Sequence, residues 1–284
     1  MLLRTVRLGG KGRSLVAAEN LAAGTHLLSV KPIAKAIKKN QHNLLRLRHT
    51  CQACLKPLTD DDDHPRPSAH CSSAQCKLDR EENGAALLAR CDLQYLDDMQ
   101  LQQDRRFPIM CAQLVAALLE SLRSKQSPPE SWISANEMCY AILPSAVHNH
   151  LESERRAIVS SFVNAGVSNR ETLELLLPSW RYARLIGAMQ LNAFGLTLSE
   201  RDIHVVVLLP QPAFLFNHSC DPNVHVSLDE SCRVDFVLAR DAMQGDELCI
   251  SYVDVALNFE KRQEMLLNKY GFTCDCQRCK SIKQ

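Results

Sequence analysis

The sequence predicts an α+β fold in which a core of short strands is divided by two inserts. Short β-type runs separated by turns occur near the start of the chain and again between residues 193 and 251. The middle of the chain instead has apolar residues at helical spacing. A third segment, Cys51 to Cys91, is rich in cysteine, histidine, aspartate and proline, and has too little apolar surface to fold without a metal. We therefore expect a β-rich core interrupted by a metal-binding insert and a helical insert.

The N-terminal region begins with a glycine-rich turn at residues 9–14. The runs Ser14–Ala18 and His26–Val30 follow as strands, separated by a turn at Ala23-Gly24, and Pro32 stops the second run. These two runs predict a small two-stranded unit. The basic run from Lys35 to Lys39 favours a solvated helix face.

The middle of the chain predicts several helices. Between Pro108 and Arg123 the apolar residues recur at three- and four-residue spacing, with the proline near the start, as in an amphipathic helix. Further helices are expected at residues 136–143, 152–165, 170–177 and 187–192.

The C-terminal third predicts extended structure at residues 193–198, then strands at 205–209, 224–228, 234–239 and 248–251. A last helix is expected from Phe259 to Lys269, because Gly271 supplies a left-handed stop.

Composition restricts the class of protein. The chain has 284 residues, 46% of them hydrophobic, and a formal net charge of +1, so no overall field favours nucleic acid or an anionic membrane. The basic start lacks the apolar core of a secretory signal, and no run of eighteen apolar residues occurs. We expect a cytosolic or nuclear protein, in which clustered spacings among thirteen cysteines indicate metal thiolates rather than disulfides.

The cysteines form two clusters. Cys51-x2-Cys54 and Cys71-x4-Cys76 fit one tetrahedral zinc, because each short knuckle supplies two thiolates; structural cysteines without metal are the alternative. The remaining His64, His70 and Cys91 are too irregular to define a second metal. Near the C-terminus the pattern C-x-C-x2-C is one ligand short of a zinc site. Its residues are Cys274, Cys276 and Cys279.

Cys220 is the candidate for the missing ligand, unless it is a buried thiol beside an unrelated metal knuckle. It lies in the turn-forming segment Asn217-His218-Ser219-Cys220-Asp221-Pro222-Asn223. The loop Gly9–Ser14 has glycines that let backbone amides approach a ligand closely. Its spacing is not that of a Walker loop or of a dinucleotide fingerprint, and taken alone it favours a plain turn between strands. Tyr252, Tyr270 and Phe272 either enclose an alkylammonium side chain or pack in the core.

Three segments, in this order along the chain, resemble the SET-domain lysine methyltransferases: Asn217 to Asn223, Gly245-Asp246-Glu247-Leu248-Cys249-Ile250-Ser251-Tyr252, and Tyr270-Gly271-Phe272-x-Cys274-x-Cys276-x2-Cys279. The Cys51 to Cys91 segment resembles the MYND zinc finger that splits the SET domain in the SET-and-MYND subfamily. The resemblance implies a pseudo-knotted SET fold and a cysteine-rich post-SET tail.

The resemblance also implies the roles of individual residues. Tyr252 matches the catalytic tyrosine and, with Tyr270, the wall of the substrate channel. Cys220, Cys274, Cys276 and Cys279 match the post-SET zinc ligands. The residues implied to bind S-adenosylmethionine are Lys11, Gly12, Arg13, Asn192, Ala193, Asn217, His218, Tyr252 and Phe272.

Two departures from the family change the expectation. A MYND finger binds two zinc ions, whereas here an aspartate-rich stretch replaces the second cysteine pair, so we expect one zinc in the finger and one in the post-SET region. The chain stops five residues after Cys279, so the C-terminal helical domain of several relatives is expected to be missing and the cleft to be more open. The expected domains are residues 1–48 (N-terminal SET), 49–92 (finger), 93–186 (helical insert), 187–256 (core SET) and 257–284 (post-SET).

The resemblance implies methyl transfer to a lysine of a protein substrate, histone or non-histone. We also expect a monomer, with a peptide partner that binds through the finger. One alternative is an adaptor that has lost turnover. Another is a methyltransferase that acts on a group other than lysine. Tyr252 and Asn217-His218, which are intact, argue against the adaptor.

Overall fold

A computed structural model describes residues 2–37, 51, 54–56, 58, 71, 73, 74, 76, 84–198 and 203–283. His64, His70, Lys38 and Lys39, named above, lie outside these residues. The chain divides into two compact units. The first unit comprises Met1–Lys31, Gln211–Asp229 and Arg233–Gln284, and the second comprises Pro32–Pro210 and Glu230–Cys232.

The first unit is built from short strands. β1 (Leu3–Leu8) pairs antiparallel with β2 (Gly12–Ala17), whereas β3 (His26–Val30) pairs with β9 (Val234–Leu238), which also pairs with β8 (Val224–Leu228). The expected two-stranded unit is therefore wrong, because its two strands belong to different sheets. β1 was not predicted, because Leu3 is its one buried residue and Arg4, Thr5 and Arg7 are exposed.

A parallel pair completes the strands of the first unit. β7 (Asn217–His218) lies beside β10 (Cys249–Ile250), after a short 3-10 turn at Ala213–Leu215. The rings of Phe216 and Phe236 stack at a centroid distance of 4.6 Å and anchor this region in the core.

Two helices end the first unit. The helix expected at 259–269 is confirmed as Phe259–Tyr270, capped by the Asn258 side chain on Lys261 N–H and ended by Gly271 at φ 76°. A last helix, Gln277–Lys283, was not predicted.

The second unit combines a three-stranded sheet with helices. The strands are β4 (Ala34–Ile37), β5 (Phe194–Leu198) and β6 (Ile203–Leu208), with β6 in the centre. Lys35 lies in β4, so the expected helix face is wrong there; the alternation of buried alanines with the lysine is a strand pattern. In the described part of this unit the helices are α1 (Ala85–Leu88), α2 (Gln94–Gln103), α3 (Phe107–Arg123), α4 (Glu130–Glu137), α5 (His148–Asn164), α6 (Arg170–Leu176) and α7 (Ser179–Asn192). The two helices of the first unit, Phe259–Tyr270 and Gln277–Lys283, are numbered α8 and α9.

Helix α3 is the centre of the second unit, with Pro108 in its first turn and most of its residues buried. The helix expected at 136–143 is wrong beyond Glu137, because Met138 takes extended angles (φ −65°, ψ 147°) and the chain runs on to Pro144 without helical structure. Among the described helices, none combines the length and the apolar content needed to cross a membrane.

Candidate functional site

The parallel pairing of β7 with β10 brings the Asn217–Asn223 segment beside Tyr252. Ser219 N–H donates to Ile250 O at 2.9 Å, which extends the pairing by one residue. The Asn223 side chain then bridges to the same strand, accepting from Cys249 N–H at 2.8 Å and donating to Glu247 O at 2.9 Å. The turn-forming segment is thus fixed to the strand that leads into Tyr252.

His218 is buried next to Tyr252. Its Nδ1 accepts a hydrogen bond of 3.0 Å from the backbone N–H of Tyr252, and the two rings lie 5.4 Å apart. Burial lowers the pKa of His218 to about 4, with the positive charges of Arg262 and Lys11 adding to the effect. The imidazole is therefore neutral at physiological pH.

Four rings of the first unit gather around this point. Tyr252 and Tyr270 lie 4.9 Å apart, Phe272 lies 6.3 Å from Tyr270, and His218 lies 6.1 Å from Phe272. The left-handed conformation of Gly271 lets both Tyr270 and Phe272 face the same cluster. The Tyr252 hydroxyl is held by a 2.7 Å hydrogen bond to Phe216 O.

The glycine-rich loop lies next to Asn217. The amide Nδ2 of Asn217 donates to Ser14 Oγ at 2.6 Å and to Glu247 Oε1 at 3.1 Å, and lies 3.4 Å from Arg13 O. Gly12 has φ 74°, a conformation that glycine adopts without strain. Lys11, Gly12, Arg13, Asn217, His218, Tyr252, Tyr270 and Phe272 thus all lie in the first unit.

Asn192 and Ala193, also expected to bind the cofactor, lie at the end of α7 in the second unit. Asn192 Nδ2 donates to Ala188 O and to Cys139 O, both at 2.7 Å. This side chain therefore ties the segment after α4 to the end of α7.

The first cysteine cluster has the geometry of a tetrahedral metal site. The Sγ atoms of Cys51 and Cys76 are 3.9 Å apart and those of Cys54 and Cys71 are 3.7 Å apart, and all four lie within 4.8 Å of one another. Four thiolates around one zinc with bonds of about 2.3 Å have sulfur separations of about 3.8 Å. A disulfide requires about 2.05 Å, so these cysteines are not disulfide-bonded.

The local backbone of this cluster forms a knuckle. Leu55, at φ 58°, donates its N–H to Cys51 O, and Cys51 N–H donates to Lys56 O, both at 2.8 Å. Burial raises the pKa of the Cys76 thiol to about 11. Because unpaired thiolates are unfavourable there, a bound cation is needed to keep the set deprotonated. Cys91 is not in the cluster; its thiol donates to Leu87 O at 3.3 Å.

The second cluster joins the turn-forming segment to the tail. The Sγ atoms of Cys220, Cys274, Cys276 and Cys279 lie within 4.8 Å of one another. Cys276 N–H points at Cys274 Sγ (3.5 Å), the N–H···S geometry of a zinc knuckle. The donor set of both clusters, four cysteines each, therefore fits zinc.

Three residues that the sequence did not single out support the second cluster. Gln263 donates to Cys279 Sγ at 3.3 Å and also bonds the backbone N–H and C=O of Cys274. Arg262, only 1% exposed, faces the thiols of Cys220 and Cys279 with its guanidinium, and Arg278 donates to Cys220 O at 2.9 Å. A buried guanidinium offsets the negative charge of a tetrathiolate site.

Glu247 is the other functional candidate that sequence reasoning missed. Its carboxylate links Lys11 Nζ (2.6 Å) to Asn217 Nδ2, so one acid joins the glycine-rich loop to the turn-forming segment. Partial burial lowers the pKa of Lys11, but the hydrogen bond and charge of Glu247 outweigh this and leave it raised. Glu247 belongs to the segment Gly245 to Tyr252 that resembles the SET-domain family, but its partners Lys11 and Asn217 are distant in sequence and become visible only in the tertiary structure.

Comparison with known families decides the class of protein. The SET domain model matches residues 12–253, which include every strand from β2 to β10. The chain belongs to the SET-domain family. The expected SET fold is confirmed, as is the relationship to SET-and-MYND proteins described next. The expected domain boundaries stay predictions.

Curated relatives cover most of the SET-domain chain. This chain is 25% identical over 292 residues to the histone-lysine N-methyltransferase ATXR4 of Arabidopsis thaliana, and the match spans 95% of this chain and 83% of the relative. It is 28% identical over 312 residues to the histone-lysine N-methyltransferase ASHR2 of the same plant (98% and 72%). A SET and MYND domain-containing protein of Dictyostelium discoideum is 21% identical over 246 residues (81% and 70%).

Proposed function

We propose that this SET-domain protein transfers a methyl group from S-adenosylmethionine to the side-chain amine of a lysine in a protein substrate. The family and its methyltransferase relatives support the reaction class. The observation that carries the proposal is the position of Tyr252. Its ring belongs to the aromatic cluster, while its backbone is bonded to the segment that contains Asn217 and His218.

The reaction requires a neutral amine. A free lysine has a pKa near 10.4, so the neutral form costs roughly 4.6 kcal/mol at pH 7. Apolar walls formed by Tyr252 and Tyr270 disfavour the ammonium and lower this cost, and the proton leaves to water before the transfer. S-adenosylmethionine, when bound, would supply the methyl group from its sulfonium to the amine nitrogen.

The residues of the protein supply alignment. Lys11, Gly12, Arg13, Asn217, His218 and Phe272, all in the first unit, are proposed to hold the cofactor. The Tyr252 hydroxyl, held by Phe216 O, orients the amine and the methyl group. Alignment of this kind contributes several kcal/mol without covalent catalysis.

The two cysteine clusters are proposed to hold one zinc ion each. The N-terminal ion would hold the Cys51–Cys76 knuckles in their folded form. These knuckles are proposed to provide a surface that binds peptide partners. The C-terminal ion would hold the tail that carries Phe272 against the turn-forming segment.

The test measures binding and transfer separately. Calorimetry with S-adenosylmethionine is expected to show one site per chain, and tritiated S-adenosylmethionine is expected to label lysine in histones or in cell extract. Tyr252→Phe is expected to abolish labelling and to keep cofactor binding. Tyr95→Phe is the matched control, because Tyr95 is 52% exposed and lies outside the aromatic cluster.

Three outcomes separate the alternatives. Failure to bind S-adenosylmethionine contradicts the proposal. Cofactor binding without label on any substrate supports an adaptor. Label that amino-acid analysis places on a residue other than lysine supports a different methyl acceptor.

A further inference from the structure

A hydrogen-bonded path runs from a metal-ligand candidate to the backbone of Tyr252. It passes through the ring of His218, whose Nε2 lies 3.2 Å from Cys220 Sγ and whose Nδ1 lies 3.0 Å from Tyr252 N. His218 is 6% exposed. The ring is therefore shielded from solvent and bonded at both nitrogens.

The partners fix the proton on the ring. A backbone N–H only donates, so the Nδ1 that faces Tyr252 must be the unprotonated nitrogen. In the neutral ring the proton then resides on Nε2 and points at Cys220 Sγ. A metal-bound thiolate is a strong acceptor for that proton, whereas a free thiol accepts it weakly.

Packing limits the ring to this orientation. The centroid of the imidazole ring lies 5.4 Å from that of Tyr252 and 6.1 Å from that of Phe272. Rotation of the ring would break both hydrogen bonds together. Tyr252 is meanwhile tied to the same segment at its other end, since its hydroxyl donates to Phe216 O.

We propose that His218 is a positioning residue that couples zinc at the C-terminal cysteine cluster to the placement of Tyr252. With zinc bound, the Cys220 thiolate holds Nε2–H and so presents Nδ1 to Tyr252. Without zinc, that acceptor weakens and the hold on Tyr252 is lost. The role of Tyr252 rests on the function proposed above, but the coupling itself is measured without catalysis.

Two variants each keep half of the path. In His218→Asn the amide oxygen takes the place of Nδ1, so it accepts from Tyr252 N–H but does not reach Cys220. In His218→Gln the amide nitrogen takes the place of Nε2, so it donates to Cys220 but offers no acceptor to Tyr252. His225→Asn and His225→Gln are the matched controls, because His225 is exposed on β8.

Two measurements on the full chain test the two hydrogen bonds of the path separately. Zinc release to a chromogenic chelator is expected to quicken about tenfold in His218→Asn and to stay unchanged in His218→Gln, since support of a ligand typically contributes 10- to 100-fold in metal affinity. Hydrogen exchange at the Tyr252 amide is expected to quicken about tenfold in His218→Gln, which offers no acceptor, and also in the wild type once zinc has been removed. In His218→Asn, whose acceptor does not depend on Cys220, it is expected to stay slow with or without zinc. An exchange rate in the wild type that zinc removal leaves unchanged overturns the coupling.

The crossed pattern distinguishes coupling from general destabilisation. Loss of both properties in both variants indicates a merely structural role and overturns the proposal, as does behaviour like the His225 controls. If the crossed pattern appears but no methyl transfer is found, the coupling stands and the proposed function fails. If methyl transfer is found without the crossed pattern, the coupling alone fails.

Discussion

Lys11 Nζ lies 2.6 Å from Glu247 Oε2, and the other oxygen of the same carboxylate accepts from Asn217. Because the Lys11 side chain is 43% exposed, the pair itself stabilises the fold by less than about 1 kcal/mol. We expect Glu247→Gln to leave the unfolding midpoint nearly unchanged and to weaken S-adenosylmethionine binding about fivefold or more, since the loop and Asn217 lose their common partner. Calorimetry checks the affinity.

The control for this variant is Glu264→Gln. Lys261 and Glu264 form an ion pair of nearly the same length, 2.7 Å, but on the exposed surface of α8. Its removal is expected to change neither stability nor affinity. Equal effects of both variants on affinity would contradict the role of Glu247.

Zinc content is expected to be two ions per chain. Cys276→Ser is expected to remove one ion and to lower S-adenosylmethionine affinity, because the tail that carries Phe272 loses its anchor. Cys139→Ser should keep both ions, because Cys139 is exposed and outside the clusters. Metal analysis and calorimetry measure the two effects. Chelation that removes both ions yet leaves the affinity unchanged would show that the second cluster does not support the cofactor site.

Gly187 permits a close approach inside the second unit. A Cβ added there would lie 2.2 Å from Ala141 O, a backbone atom that cannot move alone. Gly187→Ala is expected to lower the free energy of unfolding by about 2 to 4 kcal/mol, because α7 must separate from the segment after α4. Denaturant unfolding measures it. Gly195→Ala, which meets nothing within 4 Å, is expected to cost far less.

Tyr182 donates a hydrogen bond of 2.8 Å to Glu154, a carboxylate with no solvent exposure that also pairs with Arg105. Tyr182→Phe is expected to lower the free energy of unfolding by about 1.5 to 3 kcal/mol, since the buried charge loses a donor. Tyr95→Phe, on the surface, should have no effect.

The pH dependence of the same variant follows from burial, which raises the pKa of Tyr182 well above its ordinary value of 10.0. A tyrosine whose pKa is raised in the folded protein contributes stability that is fully present below the pKa of the unfolded chain. This stability is lost as the pH rises from there towards the pKa of the folded protein. The difference between wild type and Tyr182→Phe should therefore be constant from pH 7 to pH 9 and shrink above about pH 10. A difference that shrinks already below pH 9 would contradict this.

Several helices and both cysteine clusters could be predicted from local sequence patterns. Helix α3 was predicted because its apolar spacing is regular, and α8 because Gly271 marks its end. Both cysteine sets were predicted from spacing, which short knuckles restrict strongly.

The pairing of strands that are distant in sequence could not be predicted. Nothing local to His26–Val30 indicates that its partner is β9 rather than the preceding strand. The parallel pair β7 and β10 is only two residues long, too short for periodicity to reveal. Glu247 and Arg262 were missed for a related reason, since a charged residue in a sequence does not show that its side chain will be buried against a partner.

The pairing of β3 with β9 also affects how the protein is made. Arg233, beside β9, bonds to Ser29 of β3 across a sequence separation of 204 residues. Closing such a long loop is entropically costly, and folds rich in distant pairings form slowly. During synthesis β3 emerges long before its partner and waits as an unpaired edge, the kind of surface that invites aggregation. The sheet of β3, β9 and β8 can therefore close only after translation has passed residue 238, which makes this protein a candidate for chaperone protection while it is still on the ribosome.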